Sequence, residues 1–336
     1  MMQAFDHIRA TSVDDAVQAL RTHKGKACIE AGGTDLIGCL KDRLWLEYPE
    51  AIINIKNVPS LKDVTEHEGG LRIGTLTTLT EVSESERVRA AYPGLAEAAR
   101  RTASPLLRNM GTLGGNICQE NRCWYYRYPN RLGGHIPCVR KGGTKCLAVP
   151  GDNRYHSIFG AVNKCIAVNP SDTAPALVAL DAAIVTDRRV IPAETFFSAA
   201  HGKQSTVLET DEIVTAIDLP AHTRNTDSDT GRSVSTFRKV AFRKSIDFAL
   251  VNCAAWLRFE GDNVADARIC LNGVYNCPVR ATAAEEILKG GPLTADQVEA
   301  AADAALAGAK PLLANYFKVP MSHATLVDTL LDLTLH

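Results

Sequence analysis

Five of the ten cysteines in this 336-residue chain, Cys118, Cys123, Cys138, Cys146 and Cys165, fall within 48 residues. The others, Cys28, Cys39, Cys253, Cys270 and Cys277, lie in apolar segments and read as core residues. Clustered thiols point to metal or redox chemistry. Cys123, Cys138, Cys146 and Cys165 are separated by 14, 7 and 18 residues. A [4Fe–4S] cluster takes four thiolates, and irregular loops can bring distant cysteines together to supply them. Structural zinc sites usually show paired C-x2-4-C knuckles. No C-x-x-C occurs here, and Cys118 and Cys123 make only a C-x4-C pair. On spacing alone, an iron–sulfur cluster, zinc, disulfides and free core thiols all stay open.

The surrounding composition is unusual. Between Gln119 and Lys164 there are eight Lys/Arg and two Asp/Glu, with six of the chain's 20 aromatic residues. Loops this long inside a compact domain tend to be functional or disordered, and the aromatic and cysteine content argues against disorder. The basic residues would offset the charge of a thiolate-ligated cluster. Arg127, Arg131, Arg140 and Lys141 would also steer an acidic electron carrier to the insertion.

Two glycine loops are the other chemical candidates: Ala31-Gly32-Gly33-Thr34-Asp35 and Gly111-Thr112-Leu113-Gly114-Gly115-Asn116. Glycines let a backbone approach a phosphate closely and aim N–H groups at it. Neither loop is G-x-G-x-x-G and neither is a Walker loop. Singly, each reads as a tight turn. Together they would clamp a diphosphate from two sides.

The elements that must position these residues alternate. Ser12 caps a helix carrying Val13, Ala16, Val17 and Leu20. Residues 27–30, 51–55 and 71–74 read as strands, and 81–89 and 93–101 as helices. No period survives from 117 to 164. Regular structure resumes with a helix at 172–180 and strands at 183–185 and 212–217. The polar stretch 222–235 reads as a linker or surface loop. Strands at 237–241, 250–259 and 267–271 suggest a meander. Helices follow at 282–289 and 294–307, the second capped by Thr294 with Gln297.

Length and composition set outer bounds. At about 150 residues per domain the chain holds about two domains. It is 46% hydrophobic and 22% charged, ordinary for a globular protein. No apolar run reaches the roughly 18–20 residues of a membrane span, and a net charge of -1 disfavours nucleic-acid binding. The start has neither a basic nor an apolar leader region, so a cytoplasmic location is expected, with export on a partner's signal left open.

The loops occur in a specific wording. Ala31-Gly32-Gly33-Thr34-Asp35-Leu36, Ile73-Gly74-Thr75-Leu76-Thr77, Arg108-Asn109-Met110-Gly111-Thr112-Leu113-Gly114-Gly115-Asn116 and Pro170-Ser171-Asp172 appear in that order. Phe237-Arg238-Lys239-Val240-Ala241-Phe242-Arg243-Lys244-Ser245-Ile246-Asp247 follows. Together, over essentially the whole chain, they resemble the FAD-binding medium subunit of the xanthine dehydrogenase family of molybdenum hydroxylases. The resemblance implies an α+β protein. Its FAD-binding domain, of the vanillyl-alcohol-oxidase type, would span residues 1–222, with subdomains at about 1–57 and 58–222. An α+β C-terminal domain of the CO dehydrogenase flavoprotein type, a three-stranded sheet with helices, would span 233–336. FAD would be held by Cys28, Ile29, Ala31, Gly32, Gly33, Thr34, Asp35, Leu36, Ile73, Thr77, Thr112, Gly115, Asn116, Cys118, Ser171, Asp172, Ile213 and Lys239. The resemblance places Lys239 near the flavin ring. Read alone, it is a solvated strand lysine.

The insertion, about 117–165, is similar to that of a subset of these subunits carrying an extra [4Fe–4S] cluster. That subset includes the β-subunit of 4-hydroxybenzoyl-CoA reductase and the flavin subunit of bacterial molybdenum aldehyde oxidoreductases. It implies Cys123, Cys138, Cys146 and Cys165 as ligands, with Cys118 the alternative to Cys165. His135 and His156 are further candidate ligands, read first as surface or supporting groups. The implied partners are a small [2Fe–2S] subunit and a large molybdopterin subunit, in a dimer of heterotrimers, with a ferredoxin or similar external carrier. No residue of this chain is expected to act on the organic substrate. Two rival readings are a stand-alone FAD-dependent oxidase or dehydrogenase, and a non-enzymatic protein with structural zinc.

Overall fold

A computed structural model describes residues 2–130, 132, 134–197, 205–221 and 231–335. Arg131 and most of the expected 222–235 linker lie outside the described residues.

The first unit is a three-stranded parallel sheet in the order Asp6–Arg9, Ala51–Asn54, Ala27–Glu30. Ala51, Ile52 and Ile53 make the central strand, buried on both faces, as parallel strands require. The helix Val13–His23 makes the crossover, and its Ser12 cap accepts the Asp15 N–H as expected. The strand Ala27–Glu30 then delivers the chain into the first glycine loop.

The second unit is a five-stranded antiparallel sheet in the order Val64–His67, Gly70–Gly74, Val214–Leu219, Ala183–Thr186, Val190–Pro192. The stretch expected as one helix at 81–89 is two, Leu79–Glu84 and Glu86–Ala91. Ser85 ends the first and caps the second by accepting the Val88 N–H, a competing bond that breaks the run.

The third unit is the meander Arg232–Val240, Val251–Glu260, Asn263–Asn272, extended by the two-residue strand Val279–Arg280, so its sheet has four strands rather than three. It is covered on both faces. Phe237, Ala254, Trp256 and Cys270 pack on the core of the second unit. Val251, Cys253, Ala255, Leu257, Ile269 and Leu271 pack on the C-terminal helices. Period-two alternation thus assigns one strand to two cores. The helix Lys318–Asp332 is not visible in the sequence period. Its inward face carries Lys318, Ser322, Thr325 and Thr329, and each of the three hydroxyls donates to the carbonyl four residues back.

Candidate functional site

The two glycine loops meet. A Cβ on Gly32 would stand 2.1 Å from the Met110 carbonyl oxygen, so only glycine lets the loops touch. Their seam opens into a cavity of about 290 Å³. Cys28, Ile29, Ala31, Gly32, Gly33, Thr34, Asp35, Leu36, Thr112, Gly115, Cys118 and Ile213 line it. A second cavity runs from Thr34, Asp35, Thr112 and Gly115 to Asn116, Asp172 and Lys239. Among the described residues, no hydrogen bond within the chain takes up the N–H groups of Gly32, Gly33, Thr34, Asp35 and Leu36. Successive free N–H donors at a cavity wall suit a diphosphate.

Three expected residues line neither cavity. Ile73 is wholly buried in the core of the second unit. Thr77 is buried, and its hydroxyl donates to the Asp63 carbonyl at 3.3 Å. Ser171 sits behind Asn116, donating to its Oδ1 at 2.5 Å.

Two carboxylates turn away from a simple lining role. Asp172 accepts from Lys239 Nζ at 2.6 Å and from Asn252 Nδ2 at 2.7 Å. Burial raises its carboxyl above the ordinary range, and Lys239 opposes that rise. Asp35 accepts from Arg122 at 2.7 Å, from Arg127 at 3.0 Å and from the Glu120 N–H at 3.2 Å. Burial pushes against its ionised form, but Arg127 and Arg122 win and hold the carboxyl below its usual value. The loop that borders the cavity is therefore bolted to the start of the cysteine insertion.

The insertion has little regular structure beyond the short 3-10 helix Val139–Lys141, which Cys138 precedes as cap. Cys123, Cys138 and Cys165 are buried in one cluster with Cys39, Leu44 and Tyr126, and Cys146 packs against it. The Ala167 N–H donates to Cys165 Sγ at 3.4 Å, and the Lys141 N–H closes the turn after Cys138 by donating to the Cys138 carbonyl at 2.8 Å. Burial pushes the Cys123 thiol up to about 12, and Cys165 and Cys138 add to the rise. Gly143 lets this loop double back, since a Cβ there would stand 1.7 Å from the Pro137 carbonyl oxygen. Cys118, by contrast, lines the first cavity. Among the described residues, no group of three or more His, Cys, Asp or Glu side chains could hold a single metal ion.

Of the basic residues expected to steer a carrier, Arg127, Arg140 and Lys141 face inward. The Arg140 side chain is 1% exposed, the Arg127 side chain 14% and Lys141 2%, so these three offer no steering surface. Instead Arg127 donates to Cys39 Sγ at 2.8 Å, and Arg140 to Cys165 Sγ at 3.3 Å. Lys141 Nζ donates to the Tyr128 carbonyl at 3.0 Å. His156 is buried with Nε2 3.1 Å from Cys123 Sγ, whereas His135 contacts the Lys141 carbonyl at 3.0 Å.

Residues 3–222 match the FAD-binding domain in molybdopterin dehydrogenase, and residues 235–316 match the CO dehydrogenase flavoprotein C-terminal domain. The FAD-binding subunit of an Escherichia coli (strain K12) aldehyde oxidoreductase is 33% identical over 98% of both chains. This chain belongs to the FAD-binding medium subunits of the xanthine dehydrogenase and CO dehydrogenase family. The carbon monoxide dehydrogenase medium chain of Hydrogenophaga pseudoflava is 30% identical, over 91% of this chain and 88% of that one. A solved structure of that organism's carbon monoxide dehydrogenase, lacking the Mo-pyranopterin moiety of its cofactor, superposes with a TM-score of 0.75. It shares 27% identity and covers 98% of this chain and 97% of that one. The medium subunit's α+β architecture is thus that of the family. It is an oxidoreductase subunit, and its cofactor is FAD.

Several cavity residues of this FAD-binding subunit escape a reading of its sequence. Gly111 and Gly114 lie within the second loop but are not singled out from it, and Asp247 ends the segment Phe237 to Asp247. Glu120 and Arg122 carry no signal beyond their nearness to Cys123. Val214, the first residue of the strand Val214–Leu219, reaches the first cavity because of the sheet order, and Leu208 and Glu212 reach it from the segment that leads into that strand.

Proposed function

We propose that this subunit carries both FAD and a [4Fe–4S] cluster, as the electron-transfer component of a molybdenum hydroxylase or reductase complex. The observation that carries the second cofactor is the Cys123, Cys138 and Cys165 cluster, with Cys146 against it and Arg140 NH1 buried beside it without a hydrogen-bond partner. A bound anionic cluster would satisfy that donor and the inward-facing cations. Cys165 is the fourth ligand rather than Cys118, because Cys118 borders the flavin cavity.

On this reading FAD occupies the two joined cavities, in a flavin domain of residues 1–222 followed by a C-terminal domain of 233–336. When bound, it exchanges electrons with one-electron and two-electron partners. The free N–H groups of residues 32–36 hold the diphosphate. Thr112, Gly115, Asn116 and Ile213 shape the remaining wall. Lys239, neutralised by Asp172, offers a paired rather than a free charge to the ring. The partners are a small [2Fe–2S] subunit and a large molybdopterin subunit, in a dimer of heterotrimers. Substrate chemistry lies on the large subunit, and a ferredoxin-like carrier is the external partner. No described helix is long and apolar enough to cross a membrane.

Iron, sulfide, molybdenum and flavin analysis of the native complex tests this, with partner subunits identified by mass. The expected result is FAD with iron and sulfide in excess of the small subunit's clusters. Zinc in place of that excess, or no excess at all, overturns the second cofactor.

A further inference from the structure

We propose that Arg140 is a positioning residue for the cysteine site: it orients the Cys165 thiolate and sets the reduction potential of the cluster bound there. This rests on the iron–sulfur reading above. Arg140 belongs to the turn that Cys138 caps, so the turn of one ligand supplies the cation for another. Its side chain is 1% exposed. Nε donates to Cys165 Sγ at 3.3 Å, and the guanidinium carbon sits 5.5 Å from the centre of the Tyr126 ring.

Among the described residues, no carboxylate is hydrogen-bonded to the Arg140 guanidinium. The Glu120 carboxylate stands 3.8 Å from NH1, too far for a hydrogen bond. Glu120 is also shared, accepting from Trp45 Nε1 and from Ser205 Oγ, both at 3.4 Å. NH1 is therefore buried without a hydrogen-bond partner among the described residues. A guanidinium does not shed its proton, so it needs an anion in place. Thiolate-ligated clusters are anionic and gain one negative charge on reduction. A fixed cation hydrogen-bonded to one ligand sulfur favours the reduced form and raises the potential. Lys141 does not share this task, because its Nζ is taken up by Tyr128 and Asn130.

The test is an EPR-monitored redox titration of the purified complex with wild-type chain, Arg140→Gln and Arg140→Lys, with iron and sulfide measured per flavin. The Gln variant keeps a donor and loses the charge. It should retain the cluster and shift its reduction equilibrium at least tenfold toward the oxidised form, about 59 mV for a one-electron couple. The Lys variant should shift it by less than threefold. A full cluster with an unmoved potential in the Gln variant overturns the proposal. If the Gln variant loses iron, the Lys variant decides: a potential near wild type supports the charge assignment, and a tenfold shift or loss of iron overturns it. Absence of cluster iron from the wild-type complex is a different failure, that of the iron–sulfur reading itself.

Discussion

Lys239 Nζ and Asp172 Oδ2 lie 2.6 Å apart, with side chains 6% and 2% exposed. The pair joins the strand Arg232–Val240 of the third unit to the residue that begins the helix Thr173–Ala179, at the wall of the second cavity. Lys239 also donates to the Arg101 carbonyl at 3.2 Å, so it ties three segments together.

Removing one partner of this pair leaves a buried charge uncompensated. Lys239→Met is expected to destabilise the chain by about 3–5 kcal/mol, while Lys239→Met with Asp172→Asn recovers most of that loss. Urea denaturation of the wild type, the single variants and the double variant measures the coupling. Additive effects would show that the two side chains do not depend on one another.

Gly32→Ala should separate the glycine loops, because the new Cβ meets backbone at 2.1 Å and backbone cannot swing aside. FAD affinity is expected to fall at least tenfold, read as flavin retained per chain after gel filtration. Gly38→Ala is the control. Gly38 lies in the helix Leu36–Asp42 with nothing within 4 Å of the added methyl, so retention is unchanged and stability rises by about 0.5–1 kcal/mol.

Asp35→Asn removes the charge that Arg122 and Arg127 share. Two charge-assisted bonds weaken at once, a loss of about 2 kcal/mol. Residues 119–127 should exchange their amide hydrogens faster, and FAD should dissociate several-fold faster because the same residue borders both cavities. Unchanged exchange in that segment would mean that the bolt between loop and insertion carries no energy.

The place of the glycine loops was legible in the sequence, because glycine at a close approach leaves no alternative: Gly32, Gly33 and Gly115 line the first cavity. Strands with period-two patterning, such as Val251–Glu260, were legible for the same reason of geometry. What failed depends on tertiary partners. Asp35 reads as a loop acid beside a phosphate site, yet its bonds go to residues 122 and 127 in the insertion. Arg140 and Lys141 are expected from the sequence both to offset a cluster's charge and to steer a carrier from the surface, and only the fold reveals that they are buried and can do only the first. Ile73 and Thr77 share a motif with Thr75, but strand alternation and the Asp63 carbonyl turn them inward.

Glu212 predicts an acid limb of stability. Its carboxylate accepts from Thr186, from two nitrogens of Arg189 and from the Glu209 N–H. Burial opposes ionisation, but these donors, led by Arg189, hold the carboxyl down at about 2 from an ordinary 4.5. The folded state thus binds this proton less readily than the unfolded chain. The contribution is complete above the ordinary value and is lost as pH falls from there through about 2. It should amount to about 1–2 kcal/mol, since Arg189 is partly in water. Unfolding free energies of the wild type and Glu212→Gln should converge across this window, and parallel curves would remove Glu212 from the acid response.

Lys318 predicts the opposite limb. Its Nζ is buried and donates to the carbonyls of His156 at 3.0 Å and Gly273 at 2.6 Å, so it pins the insertion to the third unit. Burial lowers the amine to about 7 from an ordinary 10.5. Below about 7 the amine is charged in both states, and the cost of burying that charge acts in full. Between about 7 and 10.5 the unfolded chain holds the proton and the folded chain does not. Stability from this group therefore rises with pH across that window, by up to about 1.4 kcal/mol per pH unit. Lys318→Met removes the titrating group but also strands two carbonyls, so it should lower stability at every pH while flattening the slope between the wild type's two pKa values. Chemical denaturation of both proteins at several pH values in that window measures it. A slope that survives the substitution would assign the response to another group.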